Sequence, residues 1–294
     1  MGQKRNLCSY FVAAFEFLVF SHILIALCAA GQGLLTFILL QRPTIYWPIL
    51  CILFFATLFT YNFRVILHYS RLNDAGASSK RVAWIARHKL ASSVIGIIAL
   101  FAVVPFIFYL HLRTIIPLLV LGVLTIAYSF PFLQSKSAGL RQVPILKIFL
   151  IALIWASSSV LLPVMEIAPD LAPNRLLMLL AKRFIFVLAL TLPFDIWDIK
   201  TDRIHKLITF ATLLGERWTK TLSIALLLID LALVYIFDYH LDVAVFSGLW
   251  TTFLIASAFV VYATSRRSDF YYLFFMDGLM LLQPCLIFAF RLFL

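Results

Sequence analysis

The sequence predicts an all-α fold, a polytopic transmembrane helix bundle of about nine helices. Three observations carry this. The 294 residues are 64% hydrophobic and 13% charged, with a mean hydropathy of +1.03, whereas an average soluble domain has about a quarter charged residues. Nine apolar segments approach the ~20 residues that a spanning helix needs. Finally, 18 of the 24 Lys and Arg fall in alternate connections between those segments, the bias expected of cytoplasmic loops.

The first segment, 10–40, follows Lys4 and Arg5. It runs too far, without a small-residue cleavage site, to read as a signal peptide. A retained helix is expected, with Gly31 and Gly33 as the place where it tilts or breaks. Further spans are expected at 45–67, 91–110, 115–132 (the shortest), 144–164, 175–196, 220–237, 241–263 and 271–293. Pro105, Pro131, Pro163 and Pro193 near the expected helix ends mark kinks or terminations. With the N-terminus cytoplasmic, the basic residues collect after the second, fourth, sixth and eighth spans, which places a multi-pass protein in the cell (inner) membrane. The two longest connections, 68–90 and 197–219, lie on that same side, four helices apart. Such spacing suits a duplicated bundle, although no residue-level repeat is visible. No polar stretch is long enough for a soluble domain, so 1–294 is read as a single membrane domain.

Composition and motifs also exclude. A net charge of +11 invites a nucleic-acid reading, but the basic residues sit between apolar runs rather than on an amphipathic face or a tail. Membrane lipids are the expected partners, and nucleic acid is not. Cys8, Cys28, Cys51 and Cys285 have the spacing of neither a metal knuckle nor a disulfide framework. Neither a glycine-rich phosphate loop, an HExxH helix nor a nucleophile elbow is present.

The segment after the sixth span places Asp195, Asp198 and Asp202 close together. At about 100° per residue, a continued helix brings the three carboxylates within ~60° of one another. Converging carboxylates beside Arg203 and Lys206 are what a magnesium-bridged phosphate needs: hard oxygen ligands for the ion, and cations for the remaining phosphate oxygens. The plainer reading, a solvated helix end marked by Asp and Lys, stands beside it.

Asp198-Ile-Lys-Thr-Asp202-Arg203, with Thr209 and Leu214-Gly215 downstream, resembles the second aspartate motif of the UbiA-type intramembrane prenyltransferase superfamily, nearest in pattern to its naphthoate and geranylgeranylglycerol-phosphate branches. Tyr128-Ser129-Phe130-Pro131 resembles the Tyr-Ser-x-Pro that precedes a basic loop in that family. The nine-helix count agrees. The resemblance implies an Mg2+-dependent transfer of an isoprenoid chain from a prenyl diphosphate to an aromatic or lipid acceptor, a transfer of an alkyl group other than methyl. It implies that Asp198 and Asp202 are catalytic and metal-holding, with Asp195 joining them by geometry and Arg203 meeting the diphosphate. The first aspartate motif is degenerate. Asn62 matches, but Phe63, Ile66 and Ser70 occupy the expected aspartate positions, and Ala77 stands where another belongs. Lys206 replaces a glycine. Arg64 and His68 are candidates to substitute for metal charge, so the expected substrate-binding set is Asn62, Arg64, His68, Tyr128, Arg203 and Lys206. A non-catalytic homologue binding isoprenoid, quinone or lipid is the alternative, and a transporter is the third.

Glu16, His22, Lys182, Arg183, Asp230 and Asp277 fall inside apolar runs. Ionisable groups at that depth face the bundle interior or a wet cavity. Mutual pairing is expected, for example of Asp277 with Lys182 or Arg183, beside the alternative of an acceptor pocket or proton path.

Overall fold

A computed structural model describes residues 7–41, 45–67, 80–129, 146–204, 207–237 and 242–293. All regular structure among them is helical: α1 (Leu7–Phe20), α2 (Ile23–Leu39), α3 (Trp47–Leu67), α4 (Lys80–Arg87), α5 (Lys89–Ile107), α6 (Leu112–Ser129), α7 (Leu146–Ile167), α8 (Pro173–Ile204), α9 (Phe210–Phe237), α10 (Val243–Tyr262) and α11 (Tyr271–Phe293). Seven of these are long and apolar enough to cross a membrane, and α1 with α2 forms a bent pair that makes an eighth. The segment expected at 115–132 becomes α6, whose apolar stretch Leu112–Ala127 is shorter. The chain is a multi-pass membrane protein.

Among the described residues eleven helices stand where nine were expected, for two physical reasons. The first segment bends by 59° between Phe20 and Ile23, where His22 adopts a left-handed backbone (φ 67°). The break therefore lies at Ser21-His22 rather than at Gly31 and Gly33. Asn62 of α3 steadies it, donating to the Ser21 carbonyl at 3.0 Å and to Leu58 within its own helix at 2.9 Å. The second addition is α4, a short amphipathic helix in the connection after α3. Gly31 and Gly33 instead serve close packing. A Cβ on Gly33 would lie 2.5 Å from Leu53 of α3, and one on Gly31 2.8 Å from Leu281 of α11.

Helices α2, α7, α8, α9, α10 and α11 contact one another in a closed circuit, and α3 with α5 attaches through α2. The core follows that circuit, with Phe37, Leu192, Leu227, Tyr272 and Met276 fully buried. The outward faces of α5 and α6 show Phe101, Phe108, Leu119 and Val123, as helices facing hydrocarbon do.

Prolines inside the spans do not end them. A proline removes the hydrogen bond to the carbonyl four residues earlier, and in a bilayer that carbonyl needs another donor. The fold supplies one from a neighbouring helix three times. Pro163 frees the Ser159 carbonyl, which accepts from Thr36 of α2 at 2.7 Å. Pro284 frees Met280, which accepts from the Gln32 amide of α2 at 2.6 Å. Pro193 frees Ala189, which accepts from the Ser223 hydroxyl of α9 at 2.7 Å. Thus Pro193, expected to kink or terminate the sixth span, lies inside α8, which continues to Ile204. Pro105 likewise lies inside α5, and Pro131 is outside the described residues. The 32 residues of α8 rise about 48 Å. A hydrocarbon core is about 30 Å thick, so α8 is longer than an upright span needs, and its last turns lie beside Lys147 of α7.

Candidate functional site

The last turns of α8 deliver the acidic face that helical periodicity anticipates. Asp195 is 2% exposed and Asp202 6%, while the Asp198 side chain is 44% exposed and lies 3.9 Å from Lys147 Nζ of α7. Asp195 sits in the combined field of Lys147, Asp202 and Asp198. Its Oδ1 is buried without a hydrogen-bond partner among the described residues. The face is held from below, where Ile196 and Ile199 of α8 pack with Ala211 of α9. Thr209 and Thr212 cap the start of α9 reciprocally, Thr209 N–H donating to Thr212 Oγ1 at 2.8 Å and Thr212 N–H to Thr209 Oγ1 at 3.3 Å. Gly215 takes φ +79° and bends α9 one turn later, a conformation glycine adopts at no steric cost.

Asn62 is fully buried and commits both amide protons to the fold, with its oxygen 3.5 Å from His22 Nδ1. Arg64 sits one turn before the helix end. Sequence reasoning missed Arg81 of α4. Its backbone N–H donates to Asp269 Oδ2 at 2.9 Å, and its charge interacts with Arg64, Asp198, Asp269 and Asp277. Burial, then the Arg64 guanidinium beside it, pulls the Arg81 pKa below the ordinary guanidinium value, and the three aspartates oppose this. Arg81 Nε is buried and has no acceptor among the described residues. The amphipathic pattern of Lys80–Arg87 was the available signal.

An aromatic group lies beside the acidic turns: Trp197 stacks on Tyr272 of α11 at 5.1 Å, and Phe194 packs against both. Arg203 is exposed on the last turn of α8. Tyr128 belongs to α6, but its side chain, like His68 and Lys206 entirely, lies outside the described residues. Among the described residues, no group of three or more His, Cys, Asp or Glu is arranged to hold a metal ion. The expected pairing of Asp277 with Lys182 or Arg183 is not what forms. Asp277 faces the charge of Arg81, whereas Lys182 and Arg183 both face Asp230 of α9. Arg183 also donates to Gln32 Oε1 and to Thr36 Oγ1, which ties the two proline-freed carbonyls to one buried cation. Two cavities lie away from the acidic turns. One is lined by Asp230, Gln283 and apolar residues of α8–α11, and the other by residues 167–172 and Arg175.

No family model matches the sequence, and no curated protein is detectably similar to it. Solved structures are similar in three dimensions. The apo structure of a UbiA homolog from Aeropyrum pernix K1 superposes with TM-score 0.67 at 14% identity, covering 92% of this chain and 97% of that one. A UbiA homolog from Archaeoglobus fulgidus bound to GPP and Mg2+ gives 0.66 at 12% identity over 94% and 99%. A digeranylgeranylglyceryl phosphate synthase gives 0.55 at 11% identity over 95% and 97%. The chain therefore carries the fold of the UbiA-type prenyltransferases.

Proposed function

We propose that this chain is a UbiA-like prenyltransferase of the cell membrane, N-terminus cytoplasmic, which moves an isoprenoid chain from a prenyl diphosphate to an aromatic or lipid acceptor. The observation that carries the reading is the buried acidic face at the C-terminal end of α8, on a fold shared with a homolog solved with GPP and Mg2+. Asp195, Asp198 and Asp202 offer hard oxygen donors of the kind magnesium takes; among the described residues no three such groups converge as a ready cage, so the diphosphate's own oxygens would complete the shell. The three aspartates are the residues that would hold the ion. When bound, it supplies positive charge against the departing diphosphate. The chain's own residues do the rest. Arg203 and Lys147 meet phosphate oxygens at the rim, and Trp197, Tyr272 and Phe194 offer π faces to an allylic cation.

The degenerate first motif favours a second reading, a non-catalytic protein that binds isoprenoid, quinone or lipid. One experiment separates the two. Purified protein in nanodiscs is given prenyl diphosphates of several lengths, Mg2+ and a panel of aromatic and lipid acceptors, and diphosphate release is measured. Turnover that falls about 100-fold or more in Asp198→Asn and Asp202→Asn supports the transferase. Saturable prenyl diphosphate binding without release, for every acceptor, supports the second reading.

A further inference from the structure

A run of buried amides leads from Arg183 to a small cavity inside the bundle, and its donors and acceptors can be assigned one by one. A guanidinium only donates, so the Gln32 atom that Arg183 meets is the amide oxygen. The Gln32 nitrogen then faces α11, where it donates to the Met280 carbonyl at 2.6 Å and to Gln283 Oε1 at 2.9 Å. With Oε1 given to Gln32, the two N–H groups of Gln283 Nε2 are the donors that face away from it. Gln283 is 5% exposed, and it lines a cavity together with Asp230 of α9, Phe186 of α8, and Leu249 and Phe253 of α10. Among the described residues, neither Gln283 Nε2 nor the Asp230 carboxylate has a hydrogen-bond partner. Polar groups within a bilayer-spanning bundle are costly in that condition.

We propose that this cavity is a water site, in which one water donates to the Asp230 carboxylate and accepts from Gln283 Nε2. The space open to a water's centre is about 10 Å3, enough for a single molecule and too little for a lipid headgroup or an isoprenoid. The lining supplies an acceptor and a donor, and a buried water keeps two to four such partners. A metal cation is disfavoured, because the charges of Lys182 and Arg183 already act on Asp230. The bridging water joins α9 to the network that ties α8, α2 and α11 through Arg183, Gln32 and Gln283. It stands apart from the acidic turns of α8, and is expected whether or not the chain transfers a prenyl group.

The test is X-ray radiolytic footprinting of the purified full-length chain in nanodiscs, in water enriched in heavy oxygen, which marks side chains that lie beside a water molecule. Phe186 and Phe253 line the cavity and should be hydroxylated well above Phe101, which faces outward from α5. Asp230→Leu and Gln283→Leu each remove one partner of the water and should lose that labelling, down to the level of Phe101. Asp230→Asn keeps an acceptor oxygen and should retain it, and thermal unfolding checks that each variant is folded. Wild-type labelling of Phe186 and Phe253 no greater than that of Phe101 overturns the proposal, and so does labelling that is unchanged in both leucine variants. Should a leucine variant fail to fold, the unaltered chain decides. An experimental structure that resolves waters should show density within hydrogen-bonding distance of both Asp230 and Gln283, and its absence there overturns the water site.

Discussion

Replacing Ser223 by alanine tests how the fold carries α8 past Pro193. The Ser223 hydroxyl is the donor to the Ala189 carbonyl, at 2.7 Å, and both residues are fully buried. Ser223→Ala leaves that carbonyl without a donor in a place that water does not reach. An unsatisfied buried group costs about 1–3 kcal/mol, while interhelical hydrogen bonds measured in bilayers average ~0.6 and reach ~1.7 kcal/mol. Where the two ranges overlap, a value of about 1–2 kcal/mol is expected. At roughly 2–4 °C per kcal/mol for a chain of this order of size, thermal unfolding in detergent, followed by tryptophan fluorescence, should drop by about 2–8 °C. The decisive arm is the double variant. Pro193→Ala returns an N–H to the helix, Ala189 regains its intrahelical partner, and Ser223→Ala should then cost less than about 0.5 kcal/mol. An equal loss in both backgrounds would refute the idea that Ser223 compensates for the proline.

Charge within the span makes a second prediction. The charge of Asp230 acts on both Lys182 and Arg183, so Asp230→Leu leaves two buried cations without that carboxylate and should lower the thermal midpoint. Lys182→Leu leaves a single cation, Arg183, facing Asp230 and should be milder; the order of thermal midpoints checks this, and the reverse order contradicts it. Two glycines should respond with opposite signs. A Cβ on Gly248 would meet Ile287 of α11 at 2.6 Å from its side chain and 2.9 Å from its backbone nitrogen. Gly248→Ala therefore sets about 1–3 kcal/mol of overpacking against about 1 kcal/mol of helix propensity, and should destabilise. Nothing lies within 4 Å of the same position on Gly278, so Gly278→Ala should stabilise by about 0.4–1 kcal/mol.

Much of the architecture was readable because hydrocarbon imposes it. Span-length apolar runs have few alternatives in a bilayer, and helical periodicity alone put Asp195, Asp198 and Asp202 on one face of α8. What was not readable depends on partners distant in sequence. The break at Ser21-His22 is steadied by Asn62, 41 residues away, which turns the one matching residue of the first motif largely to structural use. Pro193 looked like a helix end because nothing nearby in sequence announces Ser223 as a substitute donor. That Asp230, rather than Asp277, faces Lys182 and Arg183 follows from which faces of α8, α9 and α11 meet. Arg81 went unseen because an eight-residue amphipathic helix in a polar connection has neither the length nor the apolarity that identified the spans.

If the carboxylates of α8 border a diphosphate site, a non-hydrolysable prenyl diphosphate should reveal it. The most direct measurement is an experimental structure of the full chain with geranyl thiolodiphosphate at saturating concentration. Diphosphate density against Asp198 and Asp202, with the prenyl chain running toward Trp197 and Tyr272, is the result expected. Density at the other end of the bundle, or an acidic face that binds nothing at saturation, would contradict it.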